Sequence, residues 1–154
     1  MVDTKEFYNY LKTKNMNLFC GVPDSLLKDL CAYITDNSEK KDNIITANEG
    51  NAVGIVAGNY LATGEFGVVY MQNSGLGNIV NPLLSLTDDE VYKIPFLLIV
   101  GWRGEPGKHD EPQHVKQGKL TLPLLETMGI KYMILDENYI NQIDECYRYM
   151  QEEG

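Results

Sequence analysis

The chain has 154 residues, of which 44% are hydrophobic and 23% charged, and its formal net charge is −9. That length suits one domain with a sizeable core, and the acidic balance argues against general nucleic-acid binding, which relies on Lys and Arg. The longest apolar run, residues 94–102, is far shorter than the roughly 20 residues of a membrane helix, and residues 1–6 lack the basic and apolar regions of a secretory signal.

Short apolar segments alternate along the chain with longer segments of helical periodicity. The predicted helices, in chain order, are residues 3–14, 26–35, 48–61, 75–86, 120–128 and 139–150. The predicted strands are residues 17–22, 43–47, 66–72, 95–101 and 132–135. Because apolar strands that alternate with helices are typical of a parallel sheet covered on both faces, the pattern predicts an α/β domain. Such sheets bind ligands at the carboxyl ends of their strands, so we expect a site after Ala47, Gln72 and Gly101.

The domain organisation is simple. The sequence contains no internal repeat, no low-complexity stretch and no linker, so we expect residues 1–154 to form one domain. The chain stops just past the last predicted helix, as we expect of a domain cut from a longer protein or of a separate subunit. Cys20, Cys31 and Cys146 are widely spaced and form no CxxC pair. This spacing favours three buried, reduced thiols in a cytoplasmic protein over a disulfide framework or a zinc site.

The first strand-end segment, residues 47–54, places a carboxylate in the first turn of a helix. Asn48 can cap this helix, and Glu49 can interact with the positive end of the helix dipole. On the residues alone, that structural role is the simpler interpretation. The small residues that follow within the same helix also permit a cofactor or another backbone to approach closely.

The second segment, residues 72–78, carries Gly-x-Gly between a strand and a helix. A dinucleotide-binding turn would need a third glycine where Val80 stands, so that match is poor. The alternative is a polar turn that exposes backbone N–H groups and the side chains of Asn73, Ser74 and Asn78.

The third segment, residues 101–118, is the longest predicted loop and holds both histidines of the chain. A Walker-type phosphate loop would need Gly at Trp102 and Ser or Thr at His109. A metal site built from His109, Asp110 and His114 would lack a further strong ligand. Loops of this length are usually functional or disordered, and we expect this one to be functional. Its basic residues are where an anionic small molecule could bind.

Together these segments resemble the pyrimidine-binding domain of thiamine diphosphate-dependent decarboxylases. The motifs that carry the resemblance are Gly-Val-Pro-Asp-Ser at 21–25, Asn-Glu-Gly-Asn-Ala-Val-Gly at 48–54, Met-Gln-Asn-Ser-Gly-Leu-Gly-Asn at 71–78, Gly-Trp-Arg-Gly-Glu-Pro-Gly at 101–107 and Asp-Glu-Pro-Gln-His at 110–114. They have the order and spacing found in decarboxylases of phosphonopyruvate, and those of sulfopyruvate share the general pattern. The resemblance covers essentially the whole chain. It implies a three-layer α/β/α fold with a mainly parallel sheet of about six strands.

The resemblance also implies roles for individual residues. Glu49 is expected to hydrogen-bond the aminopyrimidine ring of thiamine diphosphate and to take part in its activation. The other residues expected to contact the cofactor are Asn73, Ser74, Gly75 and Asn78. Asp24, His109, Asp110 and His114 are expected to act in catalysis, the last three by moving protons, while Asp24 lines the substrate side of the cofactor. Those expected to bind the substrate are Ser25, Arg103, Lys108 and Gln113.

The resemblance further implies partners. Enzymes of this family hold the diphosphate and Mg²⁺ through a Gly-Asp-Gly motif in a separate domain, and no Gly-Asp-Gly occurs in the chain. We therefore expect the chain to hold no metal, to be inactive alone, and to need a diphosphate-binding domain from the same or another chain. A homo-oligomer acting on a small anionic 2-oxo acid is implied.

Three functions stay open from the sequence. Conversion of phosphonopyruvate to phosphonoacetaldehyde and CO₂ in phosphonate biosynthesis is the first candidate. The alpha subunit of a sulfopyruvate decarboxylase is the second. A non-catalytic flavodoxin-like binding or interaction domain is the alternative of another class.

Overall fold

Residues 2–153 are described by the computed structural model, in which parallel strands form one sheet. The strands are β1 (Phe19–Gly21), β2 (Asn43–Ile45), β3 (Val68–Gln72) and β4 (Leu97–Gly101). Their order across the sheet is β2-β1-β3-β4, and every pairing is parallel. The chain adds β2 on one side of β1 and then crosses over to add β3 on the other. The switch point of this doubly wound sheet therefore lies between β1 and β3, where ligands bind in open α/β sheets.

Helices cover both faces of the sheet. They are α1 (Thr4–Thr13), α2 (Lys28–Asn37), α3 (Glu49–Thr63), α4 (Leu76–Pro82), α5 (Pro112–Thr127) and α6 (Tyr139–Glu152). A short 3₁₀ turn, Asn73–Gly75, precedes α4, and a π-helical turn, Leu83–Thr87, follows it. None of the helices in residues 2–153 is both long enough and apolar enough to span a lipid bilayer.

Two buried clusters lie on opposite faces of the sheet because successive strand side chains point to opposite sides. Val68 and Tyr70 of β3 pack with α1, α2 and α6. Val69 and Met71 pack with α3, α4 and α5. The predicted α/β class, with helices on both faces of a parallel sheet, is confirmed.

The predicted number of about six strands is wrong, because the sheet of residues 2–153 has four. Residues 132–135, predicted as a strand, have no regular secondary structure. The side chain of Gln142 in α6 donates to the Ile134 carbonyl at 2.9 Å and accepts from the Asp136 N–H at 3.2 Å. These bonds tie the segment to α6, so its local strand propensity is overridden by tertiary contacts.

A second correction concerns the long loop. Helix α5 begins at Pro112 and not near Leu120, so the loop is confined to residues 102–111. Proline is well suited to the first position of a helix, because an N–H there would have no partner within the helix and proline has none. Gln113 and His114 therefore lie in the first turn of α5 and have fixed positions.

The predicted cap of α3 is confirmed, and α1 begins with a cap of the same kind. The side chain of Asp3 accepts from the Glu6 N–H at 2.8 Å, and that of Asn48 accepts from the Asn51 N–H at 3.0 Å. Gly64 ends α3 with a φ of 75°, in the left-handed region that favours glycine. Asn48 thus sets the start of α3 and the position of Glu49 in its first turn.

The cysteine prediction is confirmed in part. All three thiols are free, but only Cys20 is fully buried, while Cys31 and Cys146 are partly exposed. Burial raises the pKa of the Cys20 thiol to about 12, because the thiolate would lose its hydration.

Gly21 is paired with Tyr70 where β1 passes β3. A Cβ at Gly21 would overlap with the carbonyl oxygen of Tyr70, which cannot move without breaking the sheet. We expect Gly21→Ala to lower the free energy of unfolding by about 3 kcal/mol, the upper end for overpacking.

Gly54 provides the matched control, since a Cβ there meets open space on α3. Gly54→Ala should raise the free energy of unfolding by roughly 0.5–1 kcal/mol, because alanine favours the helix. Urea unfolding of both variants measures the two effects. Equal effects at the two positions would contradict the close approach of β1 and β3.

Candidate functional site

Each strand of the sheet is followed by a polar side chain at its carboxyl end. Asp24 follows β1, Glu49 follows β2, Asn73 follows β3 and Arg103 follows β4. The first three are only 6%, 8% and 1% exposed, and Thr121 of α5, which bonds to Asn73, is 3% exposed. All but one of the buried polar side chains in residues 2–153 thus lie at this edge of the sheet. Burial of polar groups is costly, so their concentration at one edge indicates a functional site.

Glu49 is held at the N-terminus of α3 with its carboxylate against the start of α4. Oε2 accepts from Nδ2 of Asn78 at 2.7 Å. A Cβ at Gly75 would overlap with the carboxylate, so only glycine leaves it room. Oε1 receives no hydrogen bond from residues 2–153. The carboxylate therefore has one oxygen fixed and the other free to accept from a ligand.

Asp24 extends from the end of β1 to the end of β4, where a Cβ at Gly101 would overlap with its carboxylate. Oδ2 accepts from the Leu26 N–H at 3.1 Å. Oδ1 is buried and has no partner in residues 2–153, and the same is true of Oδ1 of Asn73. Since buried acceptors are normally bonded, these two mark a place for a ligand that carries donors.

Arg103 and Asp110 form a two-bond ion pair at the end of β4. Nε and Nη2 of Arg103 donate to the two carboxylate oxygens of Asp110 at 2.8 and 2.5 Å. Nη1 donates to Oγ of Ser25 at 2.6 Å, which joins this pair to the end of β1. Nδ1 of His114 lies 3.0 Å from Oδ1 of Asp110. The Arg103 guanidinium, and after it the hydrogen bond to His114, hold the pKa of the Asp110 carboxyl well below its usual range.

The loop that carries this pair is fastened to its surroundings. Nδ2 of Asn73 donates to the Arg103 carbonyl at 2.8 Å and to Oγ1 of Thr121 at 2.9 Å. Nε1 of Trp102 donates to the Gly118 carbonyl at 2.8 Å. Thr121 was not predicted from the sequence, because a threonine on the inner face of an amphipathic helix carries no signal that separates it from the core.

The structure brings some predicted site residues together and leaves others apart. Asp24, Ser25, Arg103, Asp110 and His114 form one cluster. Glu49, Gly75 and Asn78 form a second cluster. Asn73 is bonded to the loop that carries Arg103.

Besides Asn73, four predicted residues lie outside the two clusters. Ser74 accepts from the side chain of Gln72 at 2.7 Å, and Lys108 pairs with Glu105 at 2.5 Å on the surface. His109 and Gln113 are exposed. The roles expected of these residues stay predictions. Within residues 2–153, no group of three or more His, Cys, Asp or Glu side chains is arranged to hold a metal ion.

Comparison with known proteins identifies the family of this chain. Residues 4–125 match the family described as thiamine pyrophosphate enzyme, N-terminal TPP binding domain. The chain is 38% identical over 117 residues to phosphonopyruvate decarboxylase of Streptomyces viridochromogenes, an alignment that covers 76% of this chain and 28% of the relative. It is also 38% identical over 123 residues to sulfopyruvate decarboxylase subunit alpha of Methanocaldococcus jannaschii, covering 80% of this chain and 70% of the relative.

The lengths of these relatives differ. The chain spans only 28% and 33% of the two phosphonopyruvate decarboxylases it matches, but 70% of the subunit alpha. Among solved structures, a thiamine diphosphate-dependent 4-hydroxybenzoylformate decarboxylase of Rhodococcus jostii RHA1 is similar with a TM-score of 0.53 at 19% identity. That match covers 75% of this chain and 22% of the other. At this identity the likeness shows the fold.

Proposed function

This chain belongs to the thiamine pyrophosphate enzymes, matching their N-terminal TPP binding domain, and from that premise we propose that it is the pyrimidine-binding portion of a 2-oxo acid decarboxylase. When bound, thiamine diphosphate supplies the electron sink that the loss of CO₂ requires. The observation that carries the proposal is Glu49, a buried carboxylate with one oxygen fixed by Asn78 and the other free.

The hydrogen-bonding groups around Glu49 fit an aminopyrimidine ring, which offers ring nitrogens and an amino group. Oε1 of Glu49 can share a proton with a ring nitrogen, while the bond from Asn78 holds the carboxylate in place. Gly75 allows the carboxylate to lie against the start of α4, where any side chain would displace it. Glu49 is therefore proposed to hold the proton that activates the cofactor.

The cluster around Arg103 is proposed to bind the anionic end of the substrate. Its Nη1 donates to Ser25 Oγ, and a phosphonate oxygen at that place would receive a charge-assisted hydrogen bond. Asp24 and His114 are proposed to move protons at the reacting carbonyl. Oδ1 of Asp24 supports this, because it is buried, has no partner in residues 2–153 and is free to take up a proton.

Phosphonopyruvate is the first candidate substrate, with phosphonoacetaldehyde and CO₂ as the products. Sulfopyruvate is the second, since both substrates present a three-oxygen anion to Arg103. The second is favoured by one observation: the chain spans 70% of a sulfopyruvate decarboxylase subunit alpha.

We also propose that the diphosphate and Mg²⁺ are held by a separate domain, and that the chain alone is inactive. The sequence contains no Gly-Asp-Gly, and the subunit alpha relatives are by name parts of a larger assembly. Helix α3 has no charged residue after Glu49 and exposes Gly54, Gly58 and Leu61. Depletion of charge is typical of the centre of protein interfaces, so this face is proposed to meet the partner in an oligomeric enzyme.

The test is turnover by the chain combined with its diphosphate-binding partner, using phosphonopyruvate, sulfopyruvate and pyruvate. We expect kcat/KM for phosphonopyruvate or sulfopyruvate to exceed that for pyruvate, which lacks the second anionic group, by roughly 10- to 100-fold. One charge-assisted hydrogen bond, worth about 1.5–3 kcal/mol, sets that scale. CO₂ release and aldehyde formation measure the rates.

The outcomes separate the parts of the proposal. A preference for sulfopyruvate over phosphonopyruvate would replace the first candidate by the second. Equal turnover of pyruvate would overturn the anion-binding role of Arg103. No CO₂ from any of the three would overturn the decarboxylase itself.

A further inference from the structure

Asp110 receives more hydrogen bonds than a proton carrier could keep. Oδ1 accepts from Nη2 of Arg103 and the Glu111 N–H, and it lies 3.0 Å from Nδ1 of His114. Oδ2 accepts from Nε of Arg103 and the Gly104 N–H. A carboxylate offers about four lone-pair sites, so both oxygens are fully engaged. We infer that Asp110 is a positioning residue, which holds His114 in one tautomer and directs Arg103, and that it transfers no proton itself. This inference rests on the proposed function.

The first consequence concerns His114. Because an ionised carboxylate only accepts hydrogen bonds, Nδ1 of the ring must carry a hydrogen to bond to Asp110. In the neutral ring, Nε2 is then the acceptor. Asp110 thus leaves Nε2 as the nitrogen that takes up a proton. The ring is 15% exposed and lies in the first turn of α5, so its orientation is set by this bond and by the helix.

The second consequence concerns Arg103. Its guanidinium is planar, so fixing Nε and Nη2 on Asp110 also fixes the direction of Nη1. Nη1 then points to Ser25 at the end of β1. Without Asp110, the side chain would be free to turn away from the place proposed for the anion.

The loop backbone is built to hold Asp110. Gly104 has a φ of 67°, in the left-handed region, and its N–H donates to Oδ2 of Asp110 at 2.7 Å. A Cβ at Gly104 would also overlap with the His114 carbonyl. The loop therefore passes close to the first turn of α5, with Asp110 between Arg103 and His114.

The test is nitrogen-15 NMR of the imidazole rings in the chain at a pH where they are neutral. The chain has only two histidines, and His109→Gln identifies the signals of His114. We expect His114 to carry its hydrogen on Nδ1 in the wild-type chain. Asp110→Asn should shift it towards Nε2, while Glu111→Gln, which removes a neighbouring exposed carboxylate, should leave it unchanged.

The completed enzyme supplies a second readout. Asp110→Asn should raise KM for phosphonopyruvate or sulfopyruvate at least about tenfold, with little change in KM for pyruvate. Only the first two carry the phosphonate or sulfonate group that needs Arg103 directed at Ser25. If His114 of the wild-type chain carried its hydrogen on Nε2, the inference would be overturned. That result does not depend on whether any variant folds. An equal rise in both KM values would reduce Asp110 to a structural role. If the wild-type enzyme released no CO₂, the proposed function would fail, while the tautomer result would still stand.

Discussion

Replacing Glu49 by glutamine is expected to lower kcat of the completed decarboxylase by about 10²–10⁴-fold, the range that a positioned acid–base group contributes. Glutamine keeps the size of the side chain and an oxygen that can accept from Asn78. It cannot take up a proton, so cofactor activation would be lost while the packing is retained. Steady-state kinetics at saturating cofactor measures the loss.

The stability of this variant separates the catalytic role from a purely structural one. Loss of the charge at the N-terminus of α3 should cost only about 0.3–1 kcal/mol, the usual scale of a helix-dipole interaction. Glu65→Gln is the matched control, since Glu65 is exposed just beyond the other end of α3. Full activity of Glu49→Gln would rule out the activating role and leave Glu49 as an element of the helix start.

Replacing Arg103 by alanine is expected to raise KM for phosphonopyruvate or sulfopyruvate by about 10- to 100-fold. The reason is the loss of Nη1, which the structure directs at Ser25. Arg103→Lys should restore little, because an ammonium cannot bond both oxygens of Asp110 and point a third donor at Ser25. KM and kcat for phosphonopyruvate, sulfopyruvate and pyruvate should be determined for both variants.

Arg148 is the matched control because it is the other arginine of the chain and forms an exposed pair with Glu152 at 3.6 Å on α6. Arg148→Ala should leave KM unchanged, as an exposed pair of this kind contributes little. If Arg103→Ala kept the wild-type KM for both anionic substrates, the anion would have to bind elsewhere.

Much of the fold was predictable because its signals are local. Apolar runs bounded by turn residues mark β1, β3 and β4, and Asn48 marks the start of α3. Where the prediction failed, a side chain of the following helix decided. Residues 132–135 look like a strand, but the side chain of Gln142 binds their backbone from α6.

The candidate site was predictable as a set of segments and not as an arrangement. Glu49 could be placed after a buried strand, but its burial against Gly75 and its bond to Asn78 required the packing of α3 on α4. In the same way, Arg103 and Ser25 were both predicted to bind substrate, yet no pattern indicated that they touch.

By itself, the sequence determined the alternation of strands and helices and the residues that follow each strand. Periods of 2 and 3.6 residues record which face of an element is buried, and turn residues record where it ends. Only the tertiary structure decided the strand order, the contact of Asp24 with β4 and the hydrogen bond between Arg103 and Ser25. These depend on residues far apart in the chain, whose contacts follow from how the elements pack and not from any local pattern.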